Sequence, residues 1–319
     1  DNCNSSYVMD LGLSALTTKH STKRQGVARA WTDIGGLIGH WDFSDASTMY
    51  TTTGGGTNVS SDNDNIGRIM NKVTSDNQFG VSLNASGFPK YKTGGANSKS
   101  YGDFDDDCLR CSYNVGNVAT SICSYSAVSF QGTAIFFVID PSDATYSSDK
   151  RLFNLWGRDY NLEGLGGFES NSISFGIESD DDEMRAVIYD GGGSSVQDTG
   201  IDNTTGVQLW TISYTATGSL SNCGSVYKDG DGGSPFTIDL SGQDLTINSE
   251  IELGKQGPGA QAANQGGVFS IGHQTSSIGG TVGSNWKGKV YEFLVYNVGL
   301  TATDRTLIET HLKTKYGIS

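Results

Sequence analysis

The sequence predicts an all-β protein, a sandwich of two antiparallel sheets with a short helix at its C-terminal end. Three observations carry this. Apolar segments of strand length recur from Leu37 onward, each bounded by Gly, Asp, Asn or Ser. The composition holds 44 Gly but only 4 Pro, with 18% charged residues, which suits short strands joined by many turns. The chain closes with WKGKVYEFLVYNVGLTATDRTLIETHLKTKYGI, Trp286 to Ile318, an alternating apolar run that passes into a helical stripe. At 319 residues the chain can bury a large core, and all-β sandwiches reach this size undivided.

The first 36 residues carry the basic stretch TTKHSTKRQGVAR and end at Gly35-Gly36, which predicts an N-terminal arm or lead-in (1–36) before the sandwich domain (37–319). LIGHWDFSD, Leu37 to Asp45, reads as a strand with Ile38, His40 and Asp42 on one face and Leu37, Gly39, Trp41 and Phe43 on the other. Residues 51–100 are rich in Gly, Ser, Asn and Asp around single apolar anchors such as Ile66, Ile69, Phe79 and Val81, the pattern of short strands in long loops. AVSFQGTAIFFVIDP contains the continuous apolar run Ile135 to Ile139, a strand from the centre of a sandwich, stopped by Pro141. RLFNLWG, SISFGIES, MRAVIYDGGG, QLWTISYTATG, SVYKDGDGG and SEIELGK follow at hairpin spacing. In the last strand Val290, Glu292, Leu294 and Tyr296 are expected on one face and Tyr291, Phe293 and Val295 on the other, so the strand is expected to be central or covered. Thr301 to Asp304 starts the helix, Leu307, Ile308, His311, Leu312, Lys315 and Tyr316 form its stripe, and Gly317 stops it. That helix is expected to shield an edge or end of a sheet. Trp41, Trp210 and Trp286 are expected in the core.

A net charge of -14 and a pI near 4.5 argue against nucleic acid or an anionic membrane as partner, because like charges repel at encounter. No run of about 18 apolar residues predicts a membrane-spanning helix, and DNCNSSYVMD has no features of an intact signal peptide. The odd cysteine count leaves free thiols, a local disulfide such as Cys111 with Cys123, and a three-thiolate zinc site from Cys108, Cys111 and Cys123 as alternatives. Asn4, Asn58, Asn84 and Asn203 begin N-x-Ser/Thr sequons, a weak signal in so Asn-rich a chain.

Catalytic patterns are weak. Glu250-Ile-Glu252 places two carboxylates on one strand face, but a third is missing from the Glu-x-Asp-x-Glu arrangement of laminarinase-type glucanases. No HExxH, nucleophile elbow or Walker loop occurs. The acidic clusters at 103–107, 180–183 and Asp229/Asp231 can offer hard oxygen ligands, with Asp229 and Asp231 the candidate Ca²⁺ pair, but none completes an EF-hand loop. Sugar binding needs flat apolar faces beside planar polar groups. The candidates are Trp156, Arg158, Asp159, Tyr160 and Asn161, expected in one loop, and Tyr189 with Asp190 before a Gly-rich turn.

WDFSDAST, TAIFFVIDPSD with LFNLWG, VQLWTISYTATG with SVYKDG, and the closing strand-helix together resemble the concanavalin A-like lectin/glucanase superfamily, in particular its laminin-G-like and pentraxin-like branch. The resemblance runs from Leu37 to Ile318 and implies a jelly roll of two antiparallel sheets with loops that hold sugar and sometimes Ca²⁺. The Ser/Thr/Asn-rich loops also resemble virion proteins of tailed phages, especially those of marine cyanobacteria. These resemblances imply a non-enzymatic virion protein, a capsid decoration or fibre component at the virion surface. Its expected partners are other virion proteins or copies of itself, and a host-surface glycan. The alternatives are a secreted carbohydrate-binding or adhesion module and a laminarinase-like glycoside hydrolase. Fold alone does not choose among these.

Overall fold

Strands form at the predicted apolar segments and also outside them, as at Tyr101–Asp105, Leu109–Ser112, Gly193–Asp202, Phe236–Ile238 and Val268–Ile271. They are β1 (Leu37–Asp42), β2 (Met49–Tyr50), β3 (Arg68–Ile69), β4 (Phe79–Val81), β5 (Lys90–Lys92), β6 (Tyr101–Asp105) and β7 (Leu109–Ser112). Then come β8 (Ser126–Ser129), β9 (Ala134–Pro141), β10 (Lys150–Arg158), β11 (Ser170–Ile177), β12 (Glu183–Asp190) and β13 (Gly193–Asp202). β14 (Gln208–Tyr214), β15 (Gly224–Lys228), β16 (Phe236–Ile238), β17 (Glu250–Leu253), β18 (Val268–Ile271) and β19 (Lys287–Tyr296) complete the set before helix α1 (Ala302–Tyr316). This computed structural model describes residues 29–73, 79–81, 87–112, 126–129, 133–142, 150–158, 170–177, 183–190, 193–202, 204–214, 224–230, 236–239, 250–253, 268–272 and 285–319.

The strands make an all-β sandwich of antiparallel sheets closed by one C-terminal helix, as expected. The first sheet has the order β16-β15-β14-β9-β19-β6-β5, with β1 also paired to β19. The second has the order β13-β12-β11-β10-β18-β7-β4-β3-β2. β8 and β17 form a separate ribbon that lies against β10.

Between the sheets the core is aromatic. Phe137 stacks on Phe293 at 5.6 Å between ring centroids, Phe153 stacks on Phe175 at 6.1 Å, and Phe137 meets both rings of that second pair edge-on. Trp41, Trp210 and Trp286 are buried in the same cluster, as the sequence predicted.

A second core lies on the other side of the first sheet. There Ala134, Phe136, Val138, Leu209, Leu294 and Tyr296 meet Ile308, Leu312 and Tyr316 of α1. The helix thus covers the face of the central strands rather than an edge or end, which corrects the sequence expectation. A sheet covered on both faces buries every position: β9 is apolar and buried without interruption from Ala134 to Ile139, and all seven residues of β14 are buried, with its polar Gln208 accepting from the Trp210 indole N–H and Thr211 donating to Glu309. Thr301 caps α1 by accepting from the Asp304 N–H at 3.1 Å, and Gly317 ends it in the left-handed conformation at φ 69°.

Two bulges shift the predicted faces. In β19 the register slips between Val290 and Glu292, so Tyr291 joins Glu292, Leu294 and Tyr296 on the helix side while Val290 joins Phe293 and Val295 between the sheets. In β1 a slip between Leu37 and Gly39 moves Ile38 to the inter-sheet core and Leu37 to the helix side. Each bulge adds one residue and reverses the alternation before it.

Of the predicted N-terminal arm, residues 29–36 pack on the same chain. Trp31 stacks on His311 at 4.7 Å, Ile34 is buried in the helix-side core, and Arg29 pairs with Asp304.

Candidate functional site

Two regions gather chemistry-bearing side chains. The first is a buried polar cluster where β1, β19 and α1 meet. His40 Nε2 lies 2.7 Å from Glu292 Oε1, and the ligand atoms of His40, Asp42 and Glu292 lie within 4.8 Å of one another. Such a His/carboxylate group has the composition of a metal site. The cation between these carboxylates is, however, the Lys315 ammonium, 2.9 Å from Asp42 Oδ2 and 2.7 Å from Glu292 Oε2. Tyr316 donates to Glu292 Oε2 at 2.7 Å, Ser44 donates to Asp42 Oδ1 through its N–H and hydroxyl, and Lys72 reaches Asp42 at 3.2 Å. Burial pushes Asp42 up, but Lys315 and the Ser44 bond outweigh it and bring the carboxyl down to about 2. Glu292 is likewise raised by burial yet held below the ordinary glutamate value by its His40 bond and the Lys315 charge. The cluster is satisfied from within, and it fastens α1 to the sheet.

Other described acidic groups are also tied to lysines. Asp106 pairs with Lys150 at 2.9 Å and Lys287 at 2.8 Å, Asp105 with Lys287 at 2.9 Å, and Asp140 with Lys289 at 2.6 Å. An open hollow of about 610 Å³ beside α1 is lined by Thr303, Thr306, Leu307 and Thr310, and its two charges are the Arg29–Asp304 pair.

The second region is the face of the second sheet turned away from the core. Its strands alternate, so residues two apart share a face. Phe153, Phe175, Met184, Ile271, Leu109, Ile69 and Met49 are in the inter-sheet core, and the positions between them belong to the other face. The register aligns that face into rows. One row runs Ser112, Val268, Trp156, Ser172, Tyr189, Ser194, and the next runs Tyr50, Arg68, Gly80, Arg110, Ser270, Asn154, Ser174, Val187, Val196. On this face Tyr50, Arg68, Glu183 and Arg185 are partly exposed and Asp202 is exposed, while Gly176, which has no side chain, is buried between Arg151 and Arg185; the alternating Met49, Ile69 and Met184 are buried. Trp156 and Tyr189 thus stand two strand spacings apart, about 9.6 Å, with a serine position between them.

The predicted sugar-contacting residues divide accordingly. Trp156 and Arg158 belong to a strand, not to a loop as expected, because β10 continues to Arg158. The register brings Trp156 into line with Tyr189, 33 positions later in the chain. Asp190 closes the β12–β13 hairpin opposite Gly193. Asp159, Tyr160 and Asn161 lie outside the described residues.

In the predicted Ca²⁺ pair, Asp229 adopts φ 53° and its carboxylate accepts the Leu209 N–H at 2.8 Å, a role in turning the β15 end. Asp231 lies outside the described residues. Glu250 and Glu252 sit in β17, paired opposite Ser129 and Ala127. Cys108 is buried and Cys111 lies in β7, while Cys3, Cys123 and Cys223 fall outside the described residues. Asn58 donates to the carbonyls of Ser47 and Met49; the other three sequon asparagines are outside the described residues. No helix among the described residues is long and apolar enough to cross a membrane.

No protein-family model and no curated protein matches the chain. Among solved structures it is similar to Trypanosoma rangeli sialidase in complex with sialic acid, at 12% identity and TM-score 0.44, over 88% of this chain and 33% of that one. It is similar to domain 4 of AbnA, a GH43 extracellular arabinanase from Geobacillus stearothermophilus, in complex with arabinotriose, at 13% identity and TM-score 0.46, over 85% and 96% of the two chains. A third likeness is to the Ruminococcus gnavus IT-sialidase CBM40, at 12% identity and TM-score 0.34, over 57% and 83%. The chain spans about a third of the length of the sialidase. With TM-scores below 0.5, these likenesses assign neither a family nor a function to this chain.

Proposed function

We propose that this chain is a non-enzymatic, lectin-like β-sandwich that binds glycans on the outer face of its second sheet. The observation that carries the reading is the register that puts Trp156, Ser172 and Tyr189 in one row, with Asn154 and Arg158 two residues to either side of Trp156. Aromatic rings supply flat surfaces for the C–H faces of a sugar, while serine, asparagine and arginine positions supply hydroxyl partners. Binding is favoured over hydrolysis because glycoside cleavage needs two carboxylates flanking one bond. Among the described residues the Trp156–Tyr189 row and the Tyr50–Val196 row hold none, and the carboxylates of this face, Glu183, Asp198 and Asp202, lie at the β12–β13 edge away from Trp156. In the setting the sequence resemblance implies, a concanavalin A-like domain at a virion surface, this face would meet a host-surface glycan.

The test is a glycan-array and affinity-electrophoresis comparison of the full chain with Trp156→Ala and Tyr189→Ala. Loss of one stacking aromatic is expected to weaken binding by about tenfold, the effect of roughly 1–1.5 kcal/mol, with melting temperature unchanged. Binding to no saccharide, or binding indifferent to both substitutions, overturns the reading.

A further inference from the structure

Five of the chain's eight arginines share the outer face of the second sheet. They are Arg68, Arg110, Arg151, Arg158 and Arg185; the other three are Arg24, Arg29 and Arg305. Their placement follows from register. Arg68 and Arg110 both pair with Gly80, Arg110 also pairs with Ser270, Arg158 pairs with Ser170, and Arg151 and Arg185 both pair with Gly176. Lys150, the only lysine in these nine strands, has the opposite parity and is buried against Asp106. The row containing Arg151 and Arg185 also holds Asp198, opposite Arg185.

The carboxylates of this face, Glu183, Asp198 and Asp202, lie together at the β12–β13 edge, so on a chain of net charge -14 the described outer positions from β2 to β10 are a cationic segregation, not a reflection of composition. The choice of arginine over lysine adds geometry. A guanidinium is a planar fork that matches carboxylate and sulfate oxygens two at a time, whereas an ammonium is a point charge. Arg68 lies over the Tyr50 ring at 4.8 Å. Its Nε is buried without a hydrogen-bond partner, and among the described residues no carboxylate pairs with it. Gly80 brings no side chain to the row between Arg68 and Arg110, which are separated by about 9.6 Å across two strand spacings. Arg158 stands about 6.7 Å along β10 from Trp156, on the same face.

We propose that the glycan bound by this face is an acidic polysaccharide, held by aromatic contact at the Trp156–Tyr189 row and by arginine–oxyanion contacts at Arg158 and the Arg68–Arg110 pair. This rests on the glycan-binding reading above and adds the ligand's charge class. A polyanion approaching an acidic protein is repelled overall, so binding depends on this local patch and weakens as salt screens it.

The experiment uses the full chain with alginate as a carboxylated probe, dextran sulfate as a sulfated probe, neutral dextran, and duplex DNA. Wild type is expected to bind alginate or dextran sulfate about tenfold tighter than dextran, the effect of one or two charge-assisted contacts. Whichever acidic probe binds tighter identifies the oxyanion, and either result supports the proposal. The double Arg68→Gln/Arg110→Gln variant is expected to lose that preference while keeping dextran binding and melting temperature, and Arg158→Gln is expected to weaken the acidic probes more than dextran. Trp156→Ala is expected to weaken all polysaccharides alike. Equal binding of acidic and neutral probes, or acidic binding untouched by the arginine variants, overturns this inference and leaves glycan binding standing. DNA bound as tightly as alginate and dextran sulfate overturns it too, by showing simple polyanion attraction. No polysaccharide bound at all overturns the glycan-binding reading itself.

Discussion

Lys315→Met removes the ammonium that neutralises Asp42 and Glu292 while leaving most of the apolar stem. The side chains of both acids are almost fully buried, at 6% and 1% exposure. After the change Asp42 keeps Lys72 at 3.2 Å, and Glu292 keeps His40 and Tyr316 at 2.7 Å. Breaking a buried pair by deleting one partner costs about 3–5 kcal/mol, because the remaining charge is left uncompensated. With Lys72 retained the lower end applies, about 3 kcal/mol. That corresponds to a melting decrease of roughly 6–12 °C at about 2–4 °C per kcal/mol.

The pH dependence makes this test specific. Asp42 is held at about 2 in the fold against an ordinary value of 3.8. A depressed carboxylate contributes stability that is fully present above its unfolded value and is lost as pH falls through the folded one. For Asp42 the contribution is about 2 kcal/mol, present above about pH 4 and lost towards pH 2. In the variant both carboxyls rise, so protonation relieves their repulsion and the deficit against wild type shrinks as pH falls. Urea unfolding of both proteins at pH 7 and pH 3.5 reads this directly. A deficit below about 1 kcal/mol at pH 7, the range of exposed pairs, or one that does not shrink at pH 3.5, would refute the reasoning.

Two further substitutions probe the frame. Thr301→Ala removes the cap of α1 and is expected to cost about 1 kcal/mol in urea unfolding; no change would mean that the helix terminus contributes nothing to global stability. Gly39→Ala would place a methyl 2.4 Å from the Trp41 ring, an overpacking cost of about 1–3 kcal/mol, and Trp fluorescence should shift as the ring moves. An unshifted spectrum with wild-type stability would contradict the β1 bulge geometry.

The all-β class, the central apolar strand β9 and the capped closing helix were legible because each rests on local pattern: continuous apolarity, turn residues, and Thr301 with Gly317 at the helix ends. The face assignments before the bulges were not legible. A bulge inserts one residue without any special residue type at Val290–Glu292, so alternation counted from sequence runs out of phase there. Nor did sequence expose the His40–Glu292–Lys315 cluster, whose members come from three elements up to 275 positions apart. A hint was present in the charged residues of otherwise apolar segments, Asp42 in β1 and Glu292 in β19, since a charge inside a covered strand demands a partner. Trp156 was legible as a sugar-contacting type, but its alignment with Tyr189 required the β10–β11–β12 register.

The same division of labour explains where function can lie on this molecule. The first sheet is covered on one face by the second sheet and on the other by α1, and the acids between it and the helix are neutralised by Lys315 and Lys72. Its central positions are therefore committed to packing. The second sheet has one face in the core and one face of alternating serine, arginine and aromatic positions. Stability alone favours β-branched and alternately charged residues on such a surface. Serines at Ser170, Ser172, Ser174, Ser194 and Ser270 contribute little packing, and from β2 to β10 the arginines among the described outer positions have no carboxylate beside them on the face. The proposed acidic glycan would give such a surface a use, presenting hydroxyls to the serines and negative charge to the arginines.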